Sequence, residues 1–180
     1  MKTTLNKRLL TMARCCFLLL SGHIGGAAAA PALPDYGPAP EFSNVPTWLN
    51  SPPLTIGALR GKVVLVDFWT YSCINCIRTL PYVNKWHAQY KDQGLAVVGI
   101  HTPEFPYERE TRNVEKAVQR LGVQYPVAQD NRYATWKAYS NKYWPATYLI
   151  DRKGTIRYKH FGEGRYQETE QAIRQLLAEN

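Results

Sequence analysis

Cysteine is scarce in this chain: there are four in 180 residues, and Cys15 and Cys16 fall in an N-terminal stretch that reads as a leader. Only Cys73 and Cys76 remain for the folded part. A structural zinc centre built on such a pair needs a second Cys-x-x-Cys or suitably spaced histidines. No second pair exists, and His87, His101 and His160 lack that spacing. Long apolar runs are missing as well. Cys15 to Leu20 is cut off by Ser21, Gly22 and His23, short of what a membrane-spanning helix requires. Positive charge is present without being gathered. The formal net charge is +8, yet the basic residues are scattered among acidic ones, which argues against nucleic acid as a partner. Nor is there an internal repeat, or a low-complexity tract outside an Ala- and Pro-rich lead-in.

Residues 1–30 have the make-up of a secretory signal peptide. Lys2, Lys7, Arg8 and Arg14 form a basic start, the short apolar stretch follows, and Ala27 to Ala30 supply small residues for cleavage. Arg14 directly before Cys15 argues against lipid attachment at that cysteine. Cleavage would leave a periplasmic or secreted chain with no stable membrane insertion; the alternative is anchoring by an uncleaved N-terminal segment. Removing four of the 22 basic residues leaves 18 against 14 acidic ones, a net charge of +4. Residues 31–47 form a Pro-rich lead-in, expected to be ordered only from about Val45, and residues 48–180 form one domain.

Within that domain strands and helices alternate. Leu54 to Ile56 is expected as a short strand, and Val63 to Phe68 as a buried one. A helix is expected from Cys73 to about Lys91, then a strand over Leu95 to His101. Val114, Ala117, Val118 and Leu121 recur at helical spacing, predicting an amphipathic helix around Arg109 to Leu121. A short strand at Tyr125 to Ala128 and a short helix at Thr135 to Asn141 follow. Ala146 to Ile150 and Thr155 to Phe161 flank the turn Asp151-Arg152-Lys153-Gly154, and Glu168 to Leu177 closes as a helix. The order implies an α/β fold, a mixed sheet flanked by helices.

Cys73-Ile74-Asn75-Cys76 opens a helix directly after a buried strand, and that position carries chemistry. The unpaired N–H groups and positive dipole end of a helix N-terminus favour thiolate over thiol at Cys73. Thiolate is the attacking species in disulfide exchange, and Cys76, one turn on, can reach back to close a disulfide. The alternative is a purely structural staple, although a loop this short restricts little chain entropy.

Val66-Asp67-Phe68-Trp69, the Cys-x-x-Cys, Pro81 and Pro145 together resemble thioredoxin. Trp69 to Cys76, His101-Thr-Pro-Glu-Phe105 and Tyr143 to Asp151 resemble the periplasmic TlpA-like group, and within it the DipZ-like domains. The resemblance implies a thioredoxin-like fold with the central insertion of TlpA-like proteins and peroxiredoxins. It implies that Cys73 is the nucleophile, Cys76 the resolving thiol, and Asp67 the buried acid that takes the proton of Cys76. Pro145 would be a cis-proline facing the cysteines, and Trp69, Trp144 and Pro145 would meet the substrate. Ser72 departs from the tryptophan that thioredoxin carries there, and Trp144 is bulky for a residue before the cis-proline. His101 and Glu104 could assist proton transfer; the commoner reading is solvated loop residues.

The function expected is an exported thiol–disulfide oxidoreductase, a reductase of protein disulfides. It would keep periplasmic cysteines reduced, for example before haem attachment to c-type cytochromes. It would need no cofactor beyond its own cysteine pair and no metal. DipZ-like domains are often fused to a membrane electron-transfer domain, so a separate membrane donor of the CcdA/DsbD type is implied. The competing enzyme reading is a thiol peroxidase of the peroxiredoxin type. Thr70 fits that group's Pro-x-x-x-Thr-x-x-Cys pattern, but Val66 stands at its proline. A non-catalytic interaction module is the third reading.

Overall fold

Val63–Trp69, β2, runs seven residues without one exposed side chain. It has a neighbouring strand at each edge and a packed layer on each face, which is why it reads as a nearly continuous apolar run. The computed structural model describes residues 31–179. The signal peptide expected over residues 1–30 lies outside the described residues. β3 (Leu95–His101) lies parallel to β2 on one side, and β5 (Ala146–Ile150) lies antiparallel on the other. β1 (Trp48–Leu49), β4 (Val127–Gln129) and β6 (Ile156–Phe161) complete a sheet ordered β1-β4-β3-β2-β5-β6. The helices are α1 (Ile74–Tyr90), α2 (Thr111–Arg120), α3 (Ala134–Ala138) and α4 (Tyr166–Ala178). Among the described residues no helix is long and apolar enough to cross a membrane.

Alternation along β2 divides the interior in two. Val63, Leu65 and Trp69 pack with Leu80, Val83 and Trp86 of α1, Val114 and Val118 of α2, and Ile173 and Leu176 of α4. Val64, Val66 and Phe68 pack on the opposite face with Phe42, Ile56, Leu59 and Tyr139. α2 and β4 stand between β3 and α3, and β4 extends the sheet parallel to β3.

The lead-in is more ordered than its prolines suggest. Tyr36 and Ala39 donate backbone N–H groups to the carbonyls of Ile156 and Gly154, and Ile156 donates back to Gly37. Arg157 holds the carbonyls of Leu33 and Pro34. Phe42 is buried in the second core. An extended chain without internal hydrogen bonds can lend its backbone groups to a neighbouring strand, and here it does. Order therefore begins well before Val45.

Leu54 to Ile56 is not a strand. The backbone N–H groups of Ile56 and Gly57 donate to the Glu41 carboxylate at 2.7 and 2.9 Å, so they serve a single 3₁₀ turn, Gly57–Leu59, instead of a ladder. α3 is shorter and earlier than expected. Asp130 accepts from the N–H groups of Ala134 and Trp136 at its start, and Ser140 takes a positive φ of 50° just beyond its end. The Tyr125 to Ala128 strand begins two residues later, after Pro126.

Candidate functional site

The site is assembled where β2 ends and α1 begins. Cys73 is the N-cap of α1 with extended backbone, and its Sγ accepts the N–H of Cys76 at 3.4 Å. Cys73 is half-buried; Cys76 is buried in the core under Leu80 and Trp69. Both stand as free thiols. The thiol of Cys76 hydrogen-bonds to the Cys73 sulfur, and the N–H groups of Cys76 and Asn75 add to it. Together they outweigh the burial that opposes ionisation and hold Cys73 down at about 6. Burial, then the neighbouring Cys73, pushes Cys76 far the other way. Two identical side chains three residues apart thus have opposite proton affinities.

Asp67 is buried on the same sheet face, and neither carboxyl oxygen has a hydrogen-bond partner in the protein. Burial, reinforced by the charge of Cys73, raises it from 3.8 to about 7. A carboxyl group with that proton affinity can both give and take a proton near neutrality.

Trp144 presents its backbone carbonyl to the Cys73 sulfur at 4.0 Å, and the Trp144–Pro145 peptide bond is cis. Its indole N–H donates to the Thr102 carbonyl at 3.0 Å, and its ring lies 4.1 Å from that of Trp136. Pro145 is buried and starts the turn into β5, its carbonyl accepting from Gly162 at 2.8 Å. Trp69, expected at the substrate surface, is fully buried. It points into the core between α1 and the sheet, so a partner cannot touch it, and its assignment to substrate contact is corrected.

His101 departs from its expected place too. It is fully buried, stacked on Tyr71 at 5.6 Å and edge-on to Trp69 at 5.2 Å, with Thr70 Oγ1 3.3 Å from Nε2. Burial lowers it to about 4, against the pull of Glu108, so it is a neutral wall and not a solvated loop residue. Glu104 does lie exposed in the loop.

Glu108 escaped the sequence reading. It is fully buried, and its carboxylate accepts from the N–H and O–H of Ser72 and from the N–H groups of Glu104 and Phe105. Burial alone would raise its pKa, but the donors outweigh it and hold the carboxyl below its ordinary value. The loop after β3 is thereby tied to the residue preceding Cys73. Ser72, which stands where thioredoxin has tryptophan, supplies that tie. A trace of it was present in Pro106 at a helix start with Glu108 two residues on, where a carboxylate commonly takes back a free N–H. Phe105 and Tyr107, stacked at 5.6 Å, are exposed on this loop.

A family model described as Redoxin matches residues 36–177. The chain belongs to the Redoxin family. Over 161 residues it is 54% identical to "Protein DipZ" of Mycobacterium tuberculosis, covering 88% of this chain and 23% of that protein. The chain therefore spans about a quarter of the length of that relative. "Thiol-disulfide oxidoreductase YkuV" of Bacillus subtilis is 29% identical over 142 residues, covering 79% of this chain and 95% of that one. Among solved structures, a thiol-disulfide isomerase from Corynebacterium glutamicum superposes with a TM-score of 0.69 at 27% identity, covering 79% of this chain and 98% of the other. The six-stranded mixed sheet flanked by helices is the thioredoxin-like fold that Redoxin members share with these relatives.

Proposed function

We propose that this thiol–disulfide oxidoreductase is an exported reductase of protein disulfides, with Cys73 as nucleophile, Cys76 as resolving thiol and Asp67 as proton acceptor. The Cys73 thiolate attacks one sulfur of a partner's disulfide. A mixed disulfide forms and the partner's other sulfur leaves as a thiolate. Cys76 gives its proton to Asp67 and attacks the Cys73 sulfur. That closes the Cys73–Cys76 disulfide and releases the partner's second sulfur, so two electrons have passed to the partner.

The observation that supports this reading best is the asymmetry of the pair: Cys73 accessible and held at about 6, Cys76 buried and pushed up. Trp144, half-buried beside Cys73, would meet the partner's extended chain, with the buried Pro145 shaping the loop behind it and Trp69 left out of the contact. Export rests on the basic start, apolar stretch and small residues of 1–30. Likeness to DipZ favours a membrane donor of the CcdA/DsbD type to return the electrons; cysteines awaiting haem attachment, as one class of partner, rest on analogy with the TlpA-like group alone.

The test is the equilibrium reduction potential of the Cys73–Cys76 couple, with peroxide turnover measured on the same sample. A value near that of thioredoxin, roughly −270 mV, is expected. One near roughly −120 mV would reverse the direction of electron flow. Rapid Cys73-dependent consumption of hydrogen peroxide would put a thiol peroxidase first.

A further inference from the structure

A single row of residues crosses the sheet beneath the cysteine pair. Gly99 of β3 is in register with Asp67, Asp67 with Thr147 of β5, and Thr147 with His160 of β6. Asp67 alternates along β2 with Leu65 and Trp69, so it faces the core that holds Cys76 and Tyr125. Gly99 leaves the place beside Asp67 empty of side chain. A Cβ there would lie 2.9 Å from Trp69 Nε1 and 3.1 Å from Tyr125 Cε2. The absence of that atom is what lets the indole N–H and the phenol ring close in over Gly99, the register partner of Asp67.

Asp67, Trp69 and Tyr125 are each buried to within 1% of full enclosure. The Asp67 carboxyl, the Trp69 Nε1 and the Tyr125 hydroxyl all lack a hydrogen-bond partner in the protein. Buried polar groups are seldom left unmatched, and an unmatched one is costly. Here the indole N–H and the phenol O–H, two donors, are unmatched in the same neighbourhood as the carboxyl they complement, alongside ring nitrogens of His87 and His160.

We propose that Tyr125 and Trp69 are positioning residues for the proton of Asp67, their O–H and N–H donating to its carboxylate, directly or through one water, when Asp67 is ionised. This rests on the reading of Asp67 as the acceptor of the Cys76 proton. It adds what eases the ionisation of that acceptor: donors to the charged form bring down a carboxyl that burial raises.

The other groups around Asp67 do not supply the need. β3 offers Gly99 and β5 Thr147. α1 brings Cys73, Cys76 and His87, the last edge-on to the Tyr125 ring at 5.7 Å. β6 brings His160; α2 and α4 bring Val114, Val118, Ala172 and Ile173, and the buried Thr169 of α4 is spent on Tyr158 and the Arg165 carbonyl. Burial first, and the charge of Lys91 next, lowers His87, and burial lowers His160, so neither is a standing cation beside the carboxylate. Tyr125 is pushed well above its ordinary value by burial and by the charges of Asp67 and Cys76, so it keeps its proton and stays a donor.

The experiment is a carboxyl-detected NMR titration of Asp67 in the reduced full-length protein, with and without Tyr125→Phe. Losing the donor should raise the Asp67 midpoint by about one pH unit, a roughly tenfold weaker acid. The pH profile of disulfide exchange should move up with it, and Tyr125→Phe should change nothing further in an Asp67→Asn background. An unmoved midpoint in folded Tyr125→Phe overturns the proposal. In the unsubstituted protein the Tyr125 ring and Trp69 indole N–H signals should titrate with the Asp67 midpoint; signals blind to it also overturn the proposal. Asp67→Asn with undiminished exchange would instead remove Asp67 as proton acceptor, a separate failure that leaves the titration result standing.

Discussion

Asp67 and Glu108 are both carboxylic acids with almost no exposure, and they end in opposite states. Asp67 lies in the sheet, where every backbone N–H is spent on the ladder, and nothing in the protein donates to it. It is driven up to about 7. Glu108 lies where a loop crosses the start of the cysteine motif, and four donors converge on it. It is held below its ordinary value although it has no exposed surface. Burial raises the cost of a charge; the supply of donors decides whether the charge survives. One acid is thus fitted to exchange a proton and the other to hold a loop.

Asp67→Asn should break the contrast most strongly. A carboxyl raised in the fold from 3.8 to about 7 favours the folded state below its unfolded value, and that advantage is lost as pH rises through the folded one. The asparagine variant does not titrate. Its stability relative to the parent should therefore grow by about 4 kcal/mol between those two pH values and level off above them. Denaturant unfolding across that range reads it directly, and a constant gap would mean that Asp67 is not raised. Exchange should slow by roughly a hundredfold if the proton of Cys76 leaves through Asp67.

Glu108→Gln sharpens the other half of the comparison. The amide keeps the size but loses the charge-assisted bonds, so about 2 kcal/mol of stability should go near neutrality. Here the sign runs the other way. A carboxyl lowered in the fold stabilises above its unfolded pKa, and the effect is lost as pH falls through the folded value. Parent and variant should converge in acid; curves that stay parallel would show that the charge is not what matters.

Trp144→Phe carries the smallest effect. It removes the indole N–H bond to the Thr102 carbonyl and keeps a ring against Trp136. About 1 kcal/mol of stability is expected to be lost. A much larger drop would mean that the indole holds the loop after β3 as firmly as Glu108 does.

Most of this architecture was legible because periodicity and turn chemistry are local. β3 and β5 fall where their apolar runs begin and end. α2 follows the spacing of Val114, Ala117 and Val118. What stayed hidden depended on partners distant in sequence. The lead-in reads as a free tether until β6 offers it backbone groups. Glu41 turns a presumed strand into a capped turn across fifteen residues. In the site, Cys73, Cys76 and Asp67 were visible from motif and resemblance. Glu108 was not, because a charged residue in a loop gives no sign that four donors will enclose it. Trp69 misled for the converse reason: an aromatic beside a motif looks the same in sequence whether it lines a surface or a core.

The pinning of Trp144 has a consequence for encounter. Its indole is hydrogen-bonded at one edge and packed against Trp136 on its face, so its rotamer is already chosen before a partner arrives. A side chain with no freedom left surrenders none on contact, which lowers the entropic resistance to a short-lived complex. The same stiffness means that the wall beside Cys73 does not remould itself around an ill-fitting visitor. If Trp144 meets the partner as proposed, discrimination there would work by refusal of shape, at the moment of approach and before any sulfur has reacted.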